Sequence, residues 1–143
     1  MKNAFVAAAL LIASPVAFAQ DVSPGLWEIS METRVPAEAG FQPPPYKIQQ
    51  CITPETAKDP GMLFSQMSSP GASDCRYTDR NYHGGNSFTF AMTCRGAYAI
   101  RSSGKVTFTK DTMEGDVSAT ATMNDRDVET TNKLKARRIS SGC

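Results

Sequence analysis

From Trp27 onward the apolar residues recur at every second position, and that period constrains the fold of this chain more than any other feature. Successive side chains of a strand point to opposite faces, so a two-residue repeat gives each strand one dry and one wet face. Helical spacing is nearly absent. Trp27, Ile29, Met31 and Val35 alternate with Glu28, Ser30, Glu32 and Arg34 in a first strand. Pro36 and the run Pro43-Pro44-Pro45 cannot donate to a ladder, so Phe41 to Pro45 is a loop. Tyr46 to Ile52 is the second strand, with Tyr46 and Ile48 inward. Thr53-Pro54-Glu55 then reads as a helix start, with Thr53 as cap and Pro54 at the first position. Leu63, Phe64 and Met67 form a short apolar stripe on that segment, and Ser68-Ser69-Pro70-Gly71 ends it.

Asp74 to Tyr82 and Ser87 to Cys94 flank Gly84-Gly85, a two-residue hairpin signal because primed turns need positive φ. Counting outward from that turn pairs Cys75 with Cys94 and Tyr77 with Met92. Phe88, Phe90 and Met92 then point inward. Tyr98, Ile100, Val106 and Phe108 mark a fifth strand that turns near Lys110-Asp111. Val117, Ala119, Ala121 and Met123 mark a sixth, turning at Asn124-Asp125-Arg126-Asp127. Val128 to Ile139 is the seventh, and its late change of phase predicts a bulge near Arg137-Arg138. The expectation is a mainly β fold: one antiparallel meander of about seven strands, curled into a half-barrel or barrel and plugged by the helical segment. The half-barrel is the preferred form, because that helix has little other apolar surface to bury against.

The start of the chain reads as a cleavable export signal. Lys2 is the positive n-region, Ala4 to Ala13 the apolar h-region and Ala17-Phe18-Ala19 the cleavage site, so residues 1–19 leave and the domain is 20–143. Removing 19 of 143 residues leaves 124, enough for one domain. Lys2 is the one charged residue that leaves, so 14 basic residues face 14 acidic ones in the mature chain. That balance argues against nucleic acid as a partner. The signal is the only long apolar run, so no permanent transmembrane segment is expected. In an oxidising compartment Cys51, Cys75, Cys94 and Cys143 read as two disulfides. The hairpin register favours Cys75 with Cys94, which leaves Cys51 with Cys143.

Pro24 to Ser30 (PGLWEIS), Gln50 to Glu55 (QCITPE), a T-C-x-G around Cys94 and the closing Arg137 to Cys143 (RRISSGC) give the chain a family resemblance. It resembles the small exported bacterial proteins of domain-of-unknown-function family 3617 over residues 22–143. The resemblance implies a periplasmic, β-rich, disulfide-bearing domain and implies no activity; solubility is expected because Cys51, the first cysteine, is far from the cleavage site where a lipid anchor would need one. Relatives often carry Met-Pro repeats after the first strand. Here Val35-Pro36-Ala37-Glu38-Ala39-Gly40-Phe41 stands in their place, which weakens any metal role for that loop.

The search for chemistry is mostly negative. His83 is the only histidine, beside the glycine turn and with no G-x-S-x-G elbow to partner it. Ser102-Ser103-Gly104-Lys105 fails as a phosphate loop because Ala99 stands where a glycine is needed. Asp125 and Asp127 read as turn residues rather than a calcium loop. The cysteines lack a C-x-x-C spacing, and the methionines read as core filler. No catalytic, cofactor or metal residue is assigned. The leading reading is a non-catalytic periplasmic domain whose concave face binds an apolar small ligand or an envelope protein partner, with Trp27, Phe88, Phe90 and Phe108 facing the ligand. The alternative is a structural envelope protein that meets anionic surfaces through Arg126, Lys133, Lys135 and Arg137 on the last strand.

Overall fold

The two-residue repeat becomes a single seven-stranded antiparallel sheet in the computed structural model, which describes residues 22–66 and 72–143. The signal segment over 1–19, its cleavage site, Met67 and the Ser68 to Gly71 stop lie outside those residues. In chain order the elements are β1 (Gly25–Arg34), β2 (Tyr46–Ile52), α1 (Pro54–Ala57), α2 (Gly61–Gln66), β3 (Ala72–His83), β4 (Ser87–Gly96), β5 (Ala99–Phe108), β6 (Thr112–Met123) and β7 (Arg126–Ser140). The sheet order is β2-β1-β7-β6-β5-β4-β3. The meander therefore runs unbroken from β3 to β7 and returns to β1, leaving β2 and β3 as the two edges. The sheet curls but does not close into a barrel.

That order explains the helices. β2 and β3 are consecutive in the chain but lie at opposite edges, so their connection must cross the trough between them. Thr53 caps α1, its side chain accepting from the Thr56 N–H at 3.2 Å, and Pro54 fills the first turn. The single expected helical segment is two short helices. Leu63 and Phe64 of α2 are buried against the dry face of the sheet, which is the plug expected of them.

Turn chemistry sets most of the register. The turn after β3 has three residues, Gly84-Gly85-Asn86, because His83 pairs with Ser87. Both glycines have positive φ, as a tight hairpin needs. A β-bulge between Tyr77 and Asp79 absorbs the extra residue, so Tyr77 still opposes Met92 as the two-residue count predicts. Asn124 and Asp125 at φ 49° and 58° make the whole β6–β7 turn, and Arg126 and Asp127 already belong to the ladder. β6 starts earlier than the sequence suggests, at Thr112, which takes Met113 into the core. On β7 the expected bulge falls at Ile139: Arg138 opposes Trp27 and Ser140 opposes Leu26.

Trp27, Phe88, Val106, Leu63, Ile52 and Leu134 are the largest fully buried apolar side chains, all toward one end of the trough. Each contributes on the order of 1.5–3 kcal/mol on leaving water. Phe64 packs on Phe88 and Phe90 with ring centroids 5.5 and 6.0 Å away, and Phe108 lies 6.4 Å from Phe88. Gly25 is forced here. Its φ is 139°, and a Cβ on it would stand 2.2 Å from the Ser140 carbonyl oxygen.

Candidate functional site

The packed end leaves the other half of the trough unfilled. A cavity of about 740 Å³ opens between the two sheet edges, within the usual size of a small-molecule site. Ile29, Phe64 and Leu134 form its floor and separate it from a void of about 10 Å³ under α2. That void is lined by apolar side chains alone and offers a water no partner. One wall of the large hollow is Phe90, Met92, Ile100 and the Cys75–Cys94 disulfide. The opposite wall is Met31, Ile48, Tyr46 and the prolines Pro43 and Pro44.

The hollow exists because of side-chain size. At the packed end the inward positions of β4 to β7 carry Phe88, Phe90, Phe108, Met113 and Leu134. Farther along the same faces they carry Ser102, Ala119, Ala121 and Thr130, too small to meet across the curl. Among the described residues no lining side chain is Asp, Glu, Lys, Arg or His. The main polar feature is a neutral patch: Thr33 donates to Asn132 Oδ1 at 2.7 Å, and Asn132 Nδ2 donates to the Val117 carbonyl and to Thr130 Oγ1 at 3.3 Å each. Its groups satisfy one another, so the wall stays compatible with an apolar occupant.

The plug is held by a polar latch on the β3 edge. Tyr77 donates its hydroxyl proton to the Gly61 carbonyl. Tyr82 donates to Asp59 at 2.5 Å and accepts from the Gly61 N–H at 3.0 Å. Arg80 reaches Asp59 at 3.0 Å and lies over both tyrosine rings, 5.3 and 5.7 Å from their centroids. Burial, and then the bond to Asp59, pushes the Tyr82 phenol up to about 12. Burial raises Tyr77 further still.

Of the four aromatic residues expected to face a ligand, Phe90 alone lines the hollow. Trp27, Phe88 and Phe108 are consumed by the packed end, where Trp27 Nε1 donates to the Ser23 carbonyl at 3.0 Å. The small inward residues Ser102, Ala119 and Ala121 are the feature that alternation alone passes over. The signal for them was present in the sequence as a drop in size at constant phase. Tyr46, expected inward, is half exposed at the mouth, and Tyr98 stands in the turn before β5 rather than in the strand. The cysteines pair as Cys51–Cys143 and Cys75–Cys94, with no free thiol among the described residues. Cys75 sits off the ladder, in an irregularity between Ser73 and Arg76.

His83 is exposed, with Nε2 3.0 Å from Thr89 Oγ1. No described carboxylate bonds its ring. The described residues hold no group of three His, Cys, Asp or Glu placed for a metal ion, and no helix among them is long and apolar enough to cross a membrane. Lys133, Lys135 and Arg137 share the wet face of β7 with acids beside them, but Arg126 does not join the expected stripe, because it is in phase with the inward Val128, Leu134 and Ala136. Lys133 meets Asp116 at 3.4 Å, Arg137 meets Glu28 at 3.0 Å, and Lys135 lies opposite Glu114.

The architecture is that of a mainly β, disulfide-stapled half-barrel with a hollow at one end. The chain belongs to the family described as "Protein of unknown function (DUF3617)", whose model matches residues 22–143. No curated protein and no solved structure matches it. Several residues that carry the resemblance have structural work. Gly25 lets β1 approach Ser140, Trp27 fills the packed end, Glu28 holds Arg137, Cys51 and Cys143 form one staple, and Thr53-Pro54 start α1.

Proposed function

We propose that this protein is a non-catalytic periplasmic domain that takes an uncharged, apolar small molecule into the open half of its trough. The observation that carries this reading is the hollow of about 740 Å³ with no charged side chain among the described residues of its lining. A charged group carried into such a wall would lose its hydration with nothing to replace it, whereas an apolar one gains by leaving water. The non-catalytic part is supported by the position of His83, which bonds Thr89 and has no carboxylate among the described residues to orient it. Two disulfides and the export signal support the compartment. The envelope alternative finds less support, because the acids beside Lys133, Lys135 and Arg137 leave that stripe little excess charge.

Titration of the mature protein with an uncharged fluorescent naphthylamine tests this. Saturable binding that is lost in an Ala119→Phe, Ser102→Leu variant of unchanged melting temperature is the expected result. No saturable binding, or equal binding by the filled variant, overturns the reading.

A further inference from the structure

The neutral patch in the wall of the hollow is one-sided in its hydrogen bonding, because the carbonyls around it decide where each proton goes. The Val117 and Ala119 carbonyls can only accept. Asn132 therefore turns Nδ2 toward Val117 at 3.3 Å, and Thr130 gives its hydroxyl proton to Ala119 at 3.5 Å. The second Nδ2 proton goes to Thr130 Oγ1 at 3.3 Å. Asn132 Oδ1, fixed on the other side by this orientation, takes the Thr33 hydroxyl proton at 2.7 Å. Every polar proton of the three side chains is spent within the wall. Lone pairs are left over, on Thr33 Oγ1, which accepts from no described group, and on Asn132 Oδ1 and Thr130 Oγ1. The ladder gathers them: Thr33, Asn132 and Val117 share one rung, and Thr130 and Ala119 share the next on the same face. Apolar side chains flank both rungs, Met31 and Leu134 on one side and Ala121 on the other.

We propose that the occupant of the hollow is an apolar molecule with one uncharged hydrogen-bond donor, a hydroxyl or an N–H, which it gives to this cluster; the step rests on the apolar-ligand reading above. A donor seated there exchanges its bond to water for one to the protein. A molecule whose only polar atom is an acceptor meets lone pairs with a lone pair and gives up its water without replacement. An ammonium group also donates, but no described carboxylate lines the hollow to offset its lost hydration. Tyr46, Gln49, Gln50 and Ser102, the other polar side chains of the lining, offer donors and acceptors alike and do not discriminate. The preference therefore resides in Thr33, Thr130 and Asn132.

Displacement of the naphthylamine probe by methyl decyl carbinol and by methyl decyl ketone, which share one carbon skeleton, tests this. The ratio of their midpoints within one protein is independent of the probe's own affinity, and comparing the ratio between proteins cancels the hydration of the two ligands. In the parent the carbinol should displace the probe at about tenfold lower concentration than the ketone. Thr33→Val, Asn132→Leu, Thr130→Val makes this stretch of wall apolar and should bring the midpoints within about twofold of each other. Thr130→Val alone keeps the size of the side chain and frees one Asn132 N–H, so it should narrow the ratio by strengthening the ketone. Equal midpoints in the parent overturn the proposal, as does a ratio that Thr130→Val or the triple variant leaves unchanged, or a bound probe that neither ligand displaces. Each of these leaves the apolar-ligand reading standing, because the probe still binds. A probe that does not bind overturns that reading, and this proposal with it.

Discussion

The two halves of this sheet are built on one alternation and end differently. At the packed end the inward positions hold Trp27, Phe88, Phe108, Met113 and Leu134, and α2 adds Leu63 and Phe64 above them. At the open end the same phase holds Ser102, Ala119, Ala121 and Thr130, and neither α1 nor α2 is laid over them. Period two says which side faces the trough. Volume says whether the trough is filled. The residues that carry the family resemblance cluster at the packed end, where they serve stability. The half with room for a ligand shares only Ile29, Gln50 and Cys94 with that set.

The sharpest break of this comparison is covalent. The Cys51–Cys143 staple spans 92 residues and ties β2 to the chain end at the packed end. Loop-closure entropy gives such a bond about 4–5 kcal/mol, against about 3 for Cys75–Cys94 with its separation of 19. Thermal unfolding of Cys51→Ala, Cys143→Ala should therefore show a larger loss than Cys75→Ala, Cys94→Ala. Equal losses would mean that the packed end does not depend on its staple.

Next come the side chains. Phe88→Ala at the packed end opens a cavity among Phe64, Phe90 and Phe108 and should cost about 3–5 kcal/mol in denaturant unfolding. Met92→Ala only enlarges space that already exists and should cost about 1 kcal/mol. If the two losses match, the open half is packed in solution and the hollow is not real.

The latch ranks below these. Tyr82→Phe removes the hydroxyl that serves Asp59 and the Gly61 N–H and should cost about 1–2 kcal/mol. The sign with pH is fixed: a phenol raised from 10.0 to about 12 in the folded state stabilises fully below pH 10 and loses that contribution between pH 10 and 12. The melting temperature should fall across that window, less steeply for Tyr82→Phe. The smallest effect is expected for Ala119→Leu, which fills empty space. Its stability should stay within about 1 kcal/mol of the parent while naphthylamine binding drops.

Much of this fold is legible in the chain. Gly84-Gly85, Asn124-Asp125, Thr53-Pro54 and the alternating strands act through local backbone preferences, so the residues report them directly. The β3–β4 register illustrates the limit. The turn is one residue longer than two glycines suggest, and only the bulge between Tyr77 and Asp79 returns Tyr77 to Met92. A bulge is decided by what a strand packs against, here the latch onto Gly61.

By itself the sequence determined the seven dry-faced strands and the sites of the turns between them, and it favoured the two disulfide pairings, since these follow from neighbours a few residues apart or from counting a register. The tertiary structure decided the rest. β2 and β3 lie at opposite edges because β1 pairs with both β2 and β7, which sends α1 and α2 across the trough. Whether an inward aromatic faces a ligand or another side chain depends on how far the sheet curls and what lies opposite. Trp27, Phe88 and Phe108 meet the plug, Phe90 meets the hollow, and no local pattern distinguishes them, because that choice is made by residues from distant parts of the chain meeting across one concave face.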